Sequence, residues 1–198
     1  MKQEKIRNIA IMGHVDHGKT TLVNQLLEYS DTLEEHSLLL DRAMDSNPIE
    51  RERGITILAK TTAIQYKDYR INILDTPGHA DFGGEVERIM NMVDGCLLLV
   101  DAFEGTMPQT RFVLKKALEA NVKPIVVINK IDRNNIDTHQ VIENGLELFI
   151  ELGAPDNLLD FKVVYASGLK GTSSYDSDPS TQEEGMTPIF ETIVREIP

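Results

Sequence analysis

Cysteine occurs once in the 198 residues, at Cys96, which excludes an internal disulfide framework and a Cys-rich zinc site and points to a reducing, cytoplasmic setting. Basic residues are also short: 20 Lys and Arg stand against 32 Asp and Glu, a formal charge of −12. Such a surface does not hold nucleic acid by phosphate neutralisation alone, so DNA is not an expected partner and RNA contact needs a local patch or further domains. Long hydrophobic runs are missing as well. The longest, Cys96 to Val100 and Pro124 to Ile128, are far too short to span a bilayer, and the charged start Met1 to Lys5 precedes no apolar signal segment. Neither export nor a membrane partner is expected. What remains, 41% hydrophobic and 26% charged residues, suffices for a core and argues against wholesale disorder; the length suits one full-sized domain.

Short apolar, β-branched runs alternate with helical periodicities, which predicts an α/β domain with a mostly parallel sheet and helices on both faces. Six strands are expected: Asn8 to Met12, Thr61 to Tyr66, Tyr69 to Leu74, Gly95 to Val100, Val122 to Ile128 and Phe161 to Ala166. The second and third, joined at Lys67-Asp68, form a hairpin that makes one strand antiparallel. Helices are predicted from Lys19 to Tyr29, around Val86, Ile89 and Met90, from Pro108 to Ala120, from Val141 to Leu152 and from Thr187 to Ile197. Ser30 to Ala59 lacks strand signal, and a stretch of that length is usually functional or disordered. Gly171 to Gly185, rich in Ser, Thr, Asp and Glu, is expected to be a surface loop.

Gly13-His-Val-Asp-His-Gly-Lys-Thr20 matches G-x-x-x-x-G-K-[ST] between a predicted strand and a predicted helix. In such a P-loop, Gly18 lets backbone amides close around phosphate oxygens, with His14, Val15, Asp16, His17 and Thr21 completing the cradle. Lys19 reaches the β- and γ-phosphates and Thr20 offers its hydroxyl to Mg²⁺. Asp75-Thr-Pro-Gly78 follows a strand, which puts the Asp75 carboxylate at the sheet edge where it can hold Mg²⁺ through water. Asn129-Lys130-Ile131-Asp132 ends another strand at the same edge. Asp132 is a bidentate acceptor matched to the N1–H and 2-amino donors of guanine, a pattern adenine lacks. Ser167-Gly168-Leu169 fits a second base contact, with Ser167 orienting Asp132 and the amide of Gly168 or Leu169 donating to guanine O6. These spacings describe a guanine-nucleotide-binding P-loop NTPase G domain; a P-loop kinase or ATPase is disfavoured by Asp132. No grouping of the five His suggests a metal cage: the rings of His14 and His17 matter less than their backbones, and His36 and His139 are solvated. Cys96 is a small core residue.

The segments between these motifs resemble the translational GTPases, through Gly13 to Thr21, Arg53 to Thr56 and Asp75 to His79. Met44 to Asn47, Glu52 to Lys60, His79 to Arg88 and Val100 to Phe112 resemble the BipA/TypA family of ribosome-associated GTPases in particular. The resemblance covers about residues 5 to 197. Gly13 stands where that branch carries Ala, and either would leave the cradle intact. The resemblance implies that Thr56 binds Mg²⁺ and senses the γ-phosphate within a mobile Ser30 to Ala59 segment, that Gly78 senses the γ-phosphate, and that His79 positions the attacking water. Val15 and Ile55 would form the apolar gate before His79, and Asp16 would help hold a monovalent cation. His79 would act either as acceptor or, protonated, as an electrostatic stabiliser. Arg51 and Arg53 are either an arginine finger or, more plainly, phosphate or ribosome contacts.

The implied activity is hydrolysis of GTP to GDP and phosphate with Mg²⁺, stimulated by the 70S ribosome through its large-subunit rRNA. The implied role lies in ribosome assembly and translation under stress, with rRNA and tRNA binding. The alternatives are an elongation factor G or LepA-like branch, and a GTP-dependent binding switch in which hydrolysis is incidental. Residues 1–198 are expected to be one G domain, monomeric when isolated, of a longer protein whose C-terminal domains make most RNA contacts. Asp132→Asn is expected to move preference from GTP towards xanthosine triphosphate, whose 2-oxo group needs a donor, against an original discrimination of roughly 10⁴-fold. Competition binding checks it, and unchanged GTP selectivity would remove Asp132 from the base contact.

Overall fold

β4 (Gly95–Asp101) is buried at every residue, and its side chains alternate between two separate cores. Cys96, Leu98 and Val100 face one core, and Leu97 and Leu99 face the other. The near-continuous apolar run therefore marks a central strand covered on both sides. The computed structural model describes residues 5–30, 60–77 and 83–198. Around β4 stand β1 (Ile6–Gly13), β2 (Lys60–Tyr66), β3 (Tyr69–Asp75), β5 (Lys123–Asn129) and β6 (Lys162–Ser167). Their order is β2-β3-β1-β4-β5-β6, parallel except for β2, which pairs antiparallel with β3.

Helices cover both faces. α1 (Lys19–Glu28) and the last helix, α6 (Thr187–Glu196), bury Leu22, Leu26, Ile189, Phe190 and Ile193 in one core. α2 (Gly83–Met90), α3 (Pro108–Glu119) and α4 (Thr138–Glu151) bury Val86, Ile89, Val113, Leu114, Leu148 and Phe149 in the other. Each such fully buried aliphatic or aromatic side chain contributes roughly 1.5–3 kcal/mol relative to exposure. Among the described residues, no helix is long and apolar enough to cross a membrane.

Three local features differ from expectation. The Gly171 to Gly185 region is built rather than bare: β7 (Thr172–Ser174) pairs antiparallel with β6, and β8 (Glu183–Glu184) pairs with β7, extending the described sheet to eight strands. Between them Asp178 caps a 3-10 turn at Pro179–Thr181, accepting from the Ser180 amide at 2.8 Å, and the buried Ser173 hydroxyl donates to Gly185 O at 2.6 Å. Polar side chains and backbone pairing hold this hairpin, so hydrophobic periodicity carries no trace of it. α4 starts three residues earlier than its apolar pattern because Asp137 caps it, accepting from Gln140 N at 3.0 Å. A short helix, α5 (Asp156–Leu159), follows Pro155 and buries only Leu158.

The parallel strands bring their C-terminal residues, Gly13, Asp75, Asp101, Asn129 and Ser167, to one edge of the sheet. Open α/β sheets bind ligands at that edge. Away from it, Gly145 interrupts α4 beside an apolar cavity lined also by Leu148 and Phe149, and a Cβ there would meet nothing within 4 Å. Gly145→Ala should therefore stabilise the domain by about 0.5–1 kcal/mol, raising its thermal midpoint by roughly 1–4 °C. A midpoint lowered in a calorimetric scan would mean that the glycine serves a packing role there.

Candidate nucleotide site

The turn after β1 depends on left-handed backbone at two places. Asp16 has φ +65° and Gly18 φ +93°, and a Cβ on Gly18 would lie 2.5 Å from Asn129 Nδ2, so only glycine fits there. The first α-helical bond runs from Leu22 N–H to Gly18 O at 2.9 Å, leaving the amides of Lys19, Thr20 and Thr21 at the open end of α1. That end carries the positive pole of the helix and suits an anion. Thr20 and Thr21 are exposed there. At the start of the same turn, a Cβ on Gly13 would approach Leu99 O to 2.9 Å. Gly and Ala are therefore not interchangeable on this backbone: alanine would need β1 and β4 to move apart, contrary to the expectation that either would leave the cradle intact.

Lys19 is nearly buried, its ammonium donating to Thr76 O at 2.7 Å and lying 3.8 Å from Asp75 Oδ1. Burial lowers its pKa, and the Asp75 carboxylate opposes that shift. The strand-end segment is fixed in turn: Thr76 donates its hydroxyl to Ile11 O at 2.8 Å and its amide to the same oxygen at 3.1 Å. The Thr20 hydroxyl and the Asp75 carboxylate each offer a hard oxygen of the kind Mg²⁺ takes.

Asn129 joins the two ends of the site. Its Nδ2 donates to His17 O at 2.9 Å, and its Oδ1 accepts from Gly168 N at 3.0 Å. Lys130, at φ +65°, donates from Nζ to Asp16 O and pairs with Asp101 Oδ2 at 2.8 Å. Ile131 is buried, its amide donating to Ala166 O at 3.1 Å, and Asp132 beside it is half-buried. Ser167 is buried and accepts from Lys170 N at 3.2 Å; among the described residues no hydrogen bond links it to Asp132. Leu169 is 80% exposed.

Several contributors have no motif to announce them. Val15 N–H donates to Gln109 Oε1 at 3.0 Å. The buried His17 ring, expected to matter little, has its Nε2 3.0 Å from Glu104 Oε2 and lies 5.2 Å from the His14 ring. Burial lowers the His17 pKa, with Asp101 and Glu104 opposing. His17, Asp101 and Glu104 bring ligand-type atoms within 4.8 Å of one another, but Asp101 already faces the cations of Lys130 and Arg133, which makes this cluster an ion-pair network. Asp16 is exposed at the turn, His139 is exposed as expected, and Cys96 is fully buried with its thiol pushed up by desolvation. Gly78, His79 and residues 31–59 of the expected mobile segment, among them His36, Arg51, Arg53, Ile55 and Thr56, lie outside the described residues.

The family model described as the elongation factor Tu GTP binding domain matches residues 4–198. A protein from Bacillus subtilis named large ribosomal subunit assembly factor BipA is 64% identical over 193 residues, covering 98% of this chain and 31% of its own length. The factor of the same name from Escherichia coli K12 is 57% identical over 195 residues, covering 98% of this chain and 32% of its own. The chain thus spans about a third of these curated relatives, and the resemblance to the BipA branch is borne out. Among solved structures, the elongation factor SelB of Methanococcus maripaludis in complex with the GTP analogue GppNHp aligns at TM-score 0.66 and 26% identity, over 97% of this chain and 34% of that one. A bacterial selenocysteine-specific elongation factor aligns at TM-score 0.65 and 29% identity, over 84% and 26%.

Because the folded pKa of His17 is lowered from 6.5, the unfolded chain binds more protons just below that value. The stability contributed by the neutral imidazole is fully present above about pH 6.5 and is lost as the pH falls from there towards the depressed value. His17→Gln should flatten this part of the profile. Thermal midpoints measured between about pH 7.5 and 5 check it; equal slopes for both proteins would show that His17 is not the titrating group.

Proposed function

Since this chain belongs to the elongation factor Tu GTP-binding domain family, we propose that it binds GTP with Mg²⁺ and hydrolyses it to GDP and phosphate, accelerated by the ribosome. The observation that carries this is the pair of bonds by which Asn129 ties the P-loop at His17 O to the β6–β7 turn at Gly168 N. One side chain of the base-reading motif thereby holds both the phosphate loop and the second base loop. Such an arrangement suits a ligand with guanine at one end and phosphates at the other.

In this proposal the amides at the start of α1 bind the phosphates, and Lys19, already partly desolvated, reaches the β- and γ-oxygens. Thr20 would hold Mg²⁺ directly and Asp75 through water, with Thr56 as a further ligand. Held there, the ion would supply positive charge to offset the negative charge developing on the phosphate oxygens. Asp132 accepts from guanine N1–H and the 2-amino group. The Gly168 amide is engaged by Asn129, so the contact to guanine O6 falls to the Leu169 amide. His79 positions the attacking water, Gly78 senses the γ-phosphate, and Asp16 would help hold a monovalent cation.

The BipA relatives support a role of the whole protein on the ribosome, in assembly of its large subunit, with residues 1–198 as the G domain. The test is GTP hydrolysis by the intact protein with and without 70S ribosomes. Unassisted turnover should be on the order of 10⁻⁴ to 10⁻² s⁻¹ and rise several orders of magnitude with ribosomes. His79→Ala should keep GDP affinity and abolish the stimulation; stimulation that persists would assign the water-positioning role elsewhere.

A further inference from the structure

We propose that Asp101 is a positioning residue for the nucleotide site, holding Lys130 and the β4–α3 turn so that Val15, Asp16 and His17 are fixed in phosphate-binding shape. This rests on the GTP-binding reading above. Asp101 ends β4 and is fully buried. Its Oδ1 accepts the amides of Phe103 at 2.8 Å and Glu104 at 3.2 Å; its Oδ2 faces Lys130 Nζ at 2.8 Å and Arg133 Nη1 at 3.2 Å. Four donors use the acceptor capacity of a carboxylate. Burial alone would raise the pKa of this group, but Lys130 and the two amides outweigh it and hold Asp101 below the ordinary carboxylate range, so it remains an anion.

Three routes lead from this carboxylate to three consecutive residues of the phosphate loop. Lys130, anchored at Asp101, donates to Asp16 O. Both residues have left-handed backbone, a conformation costing a non-glycine residue on the order of 1–3 kcal/mol unless its surroundings enforce it. The amide bonds to Phe103 and Glu104, with Gly105 N–H donating to Asp101 O at 2.9 Å, curl the turn so that Glu104 meets His17 Nε2 at 3.0 Å. The same turn leads into α3, whose Gln109 accepts from Val15 N–H at 3.0 Å. Asp101 thus acts through Lys130, Glu104 and Gln109 on the lifetime of the bound nucleotide.

The experiment is stopped-flow release of a fluorescent (mant) GDP from the full chain. Asp101→Asn keeps an acceptor for the turn amides but removes the anion opposite Lys130, and should speed release about tenfold, the loss of one charge-assisted hydrogen bond. In a Lys130→Gln background the same change should alter release less than about twofold, because the route is already broken. A general loss of stability would instead act equally in both backgrounds, and that result, or wild-type release from Asp101→Asn, overturns the proposal. If Asp101→Asn does not fold, Glu104→Ala on the partly exposed end of the network should speed release about threefold, and unchanged release overturns the proposal equally. A wild-type chain that fails to bind mant-GDP overturns the GTP-binding reading itself, whereas binding with unaltered variants overturns only the role of Asp101.

Discussion

The amide of Asn129 joins two loops that are distant in sequence, and the candidate site depends on that junction. Its nitrogen holds His17 O, 112 residues away, and its oxygen holds the Gly168 amide, 39 residues away. Both groups are backbone and both bonds are buried, so losing the side chain would leave a carbonyl and an amide unpaired inside the protein. The junction also dictates composition nearby. Gly18 has no room for a side chain because Asn129 Nδ2 occupies that space, and Gly168 packs against the start of α1 and Asn129 Oδ1.

The sheet converts this local junction into a site. Parallel pairing from β3 through β6 sets five strand ends side by side, and helices on both faces keep those strands dry. The polar groups at the edge are consequently held in low-dielectric surroundings, where fixed partners count for more than they would in water. Lys19 shows the effect: an ammonium largely removed from solvent, with Thr76 O and the nearby Asp75 carboxylate as its described partners.

How much of this could be read from the chain follows from the kind of physics involved. The central strands were legible because burial on both faces demands unbroken apolar runs, and the P-loop because phosphate binding demands fixed residue types at fixed spacing. The β7–β8 hairpin was hidden since serine, threonine and backbone pairing hold it, with few apolar positions to show a period. Asp101, Gln109 and Glu104 were hidden for another reason. Their partners lie 32 residues away at Arg133, 94 away at Val15 and 87 away at His17, and a contact across such distances leaves no local pattern. The His17 ring is hidden too, because a phosphate-loop histidine looks like a carrier of backbone amides until its burial against Glu104 is seen.

Cys96 sits at the start of the strand that separates the two cores, without solvent access and with its thiol strongly disfavoured from ionising. Reagents that need a thiolate will pass this residue by while the domain is folded. A cysteine introduced on the surface, beside the turn at Leu169 or on the outer face of α4, would then be the one reactive sulfur in these 198 residues. The same buried thiol would become modifiable only when the sheet itself opens, which makes it a built-in reporter of global unfolding.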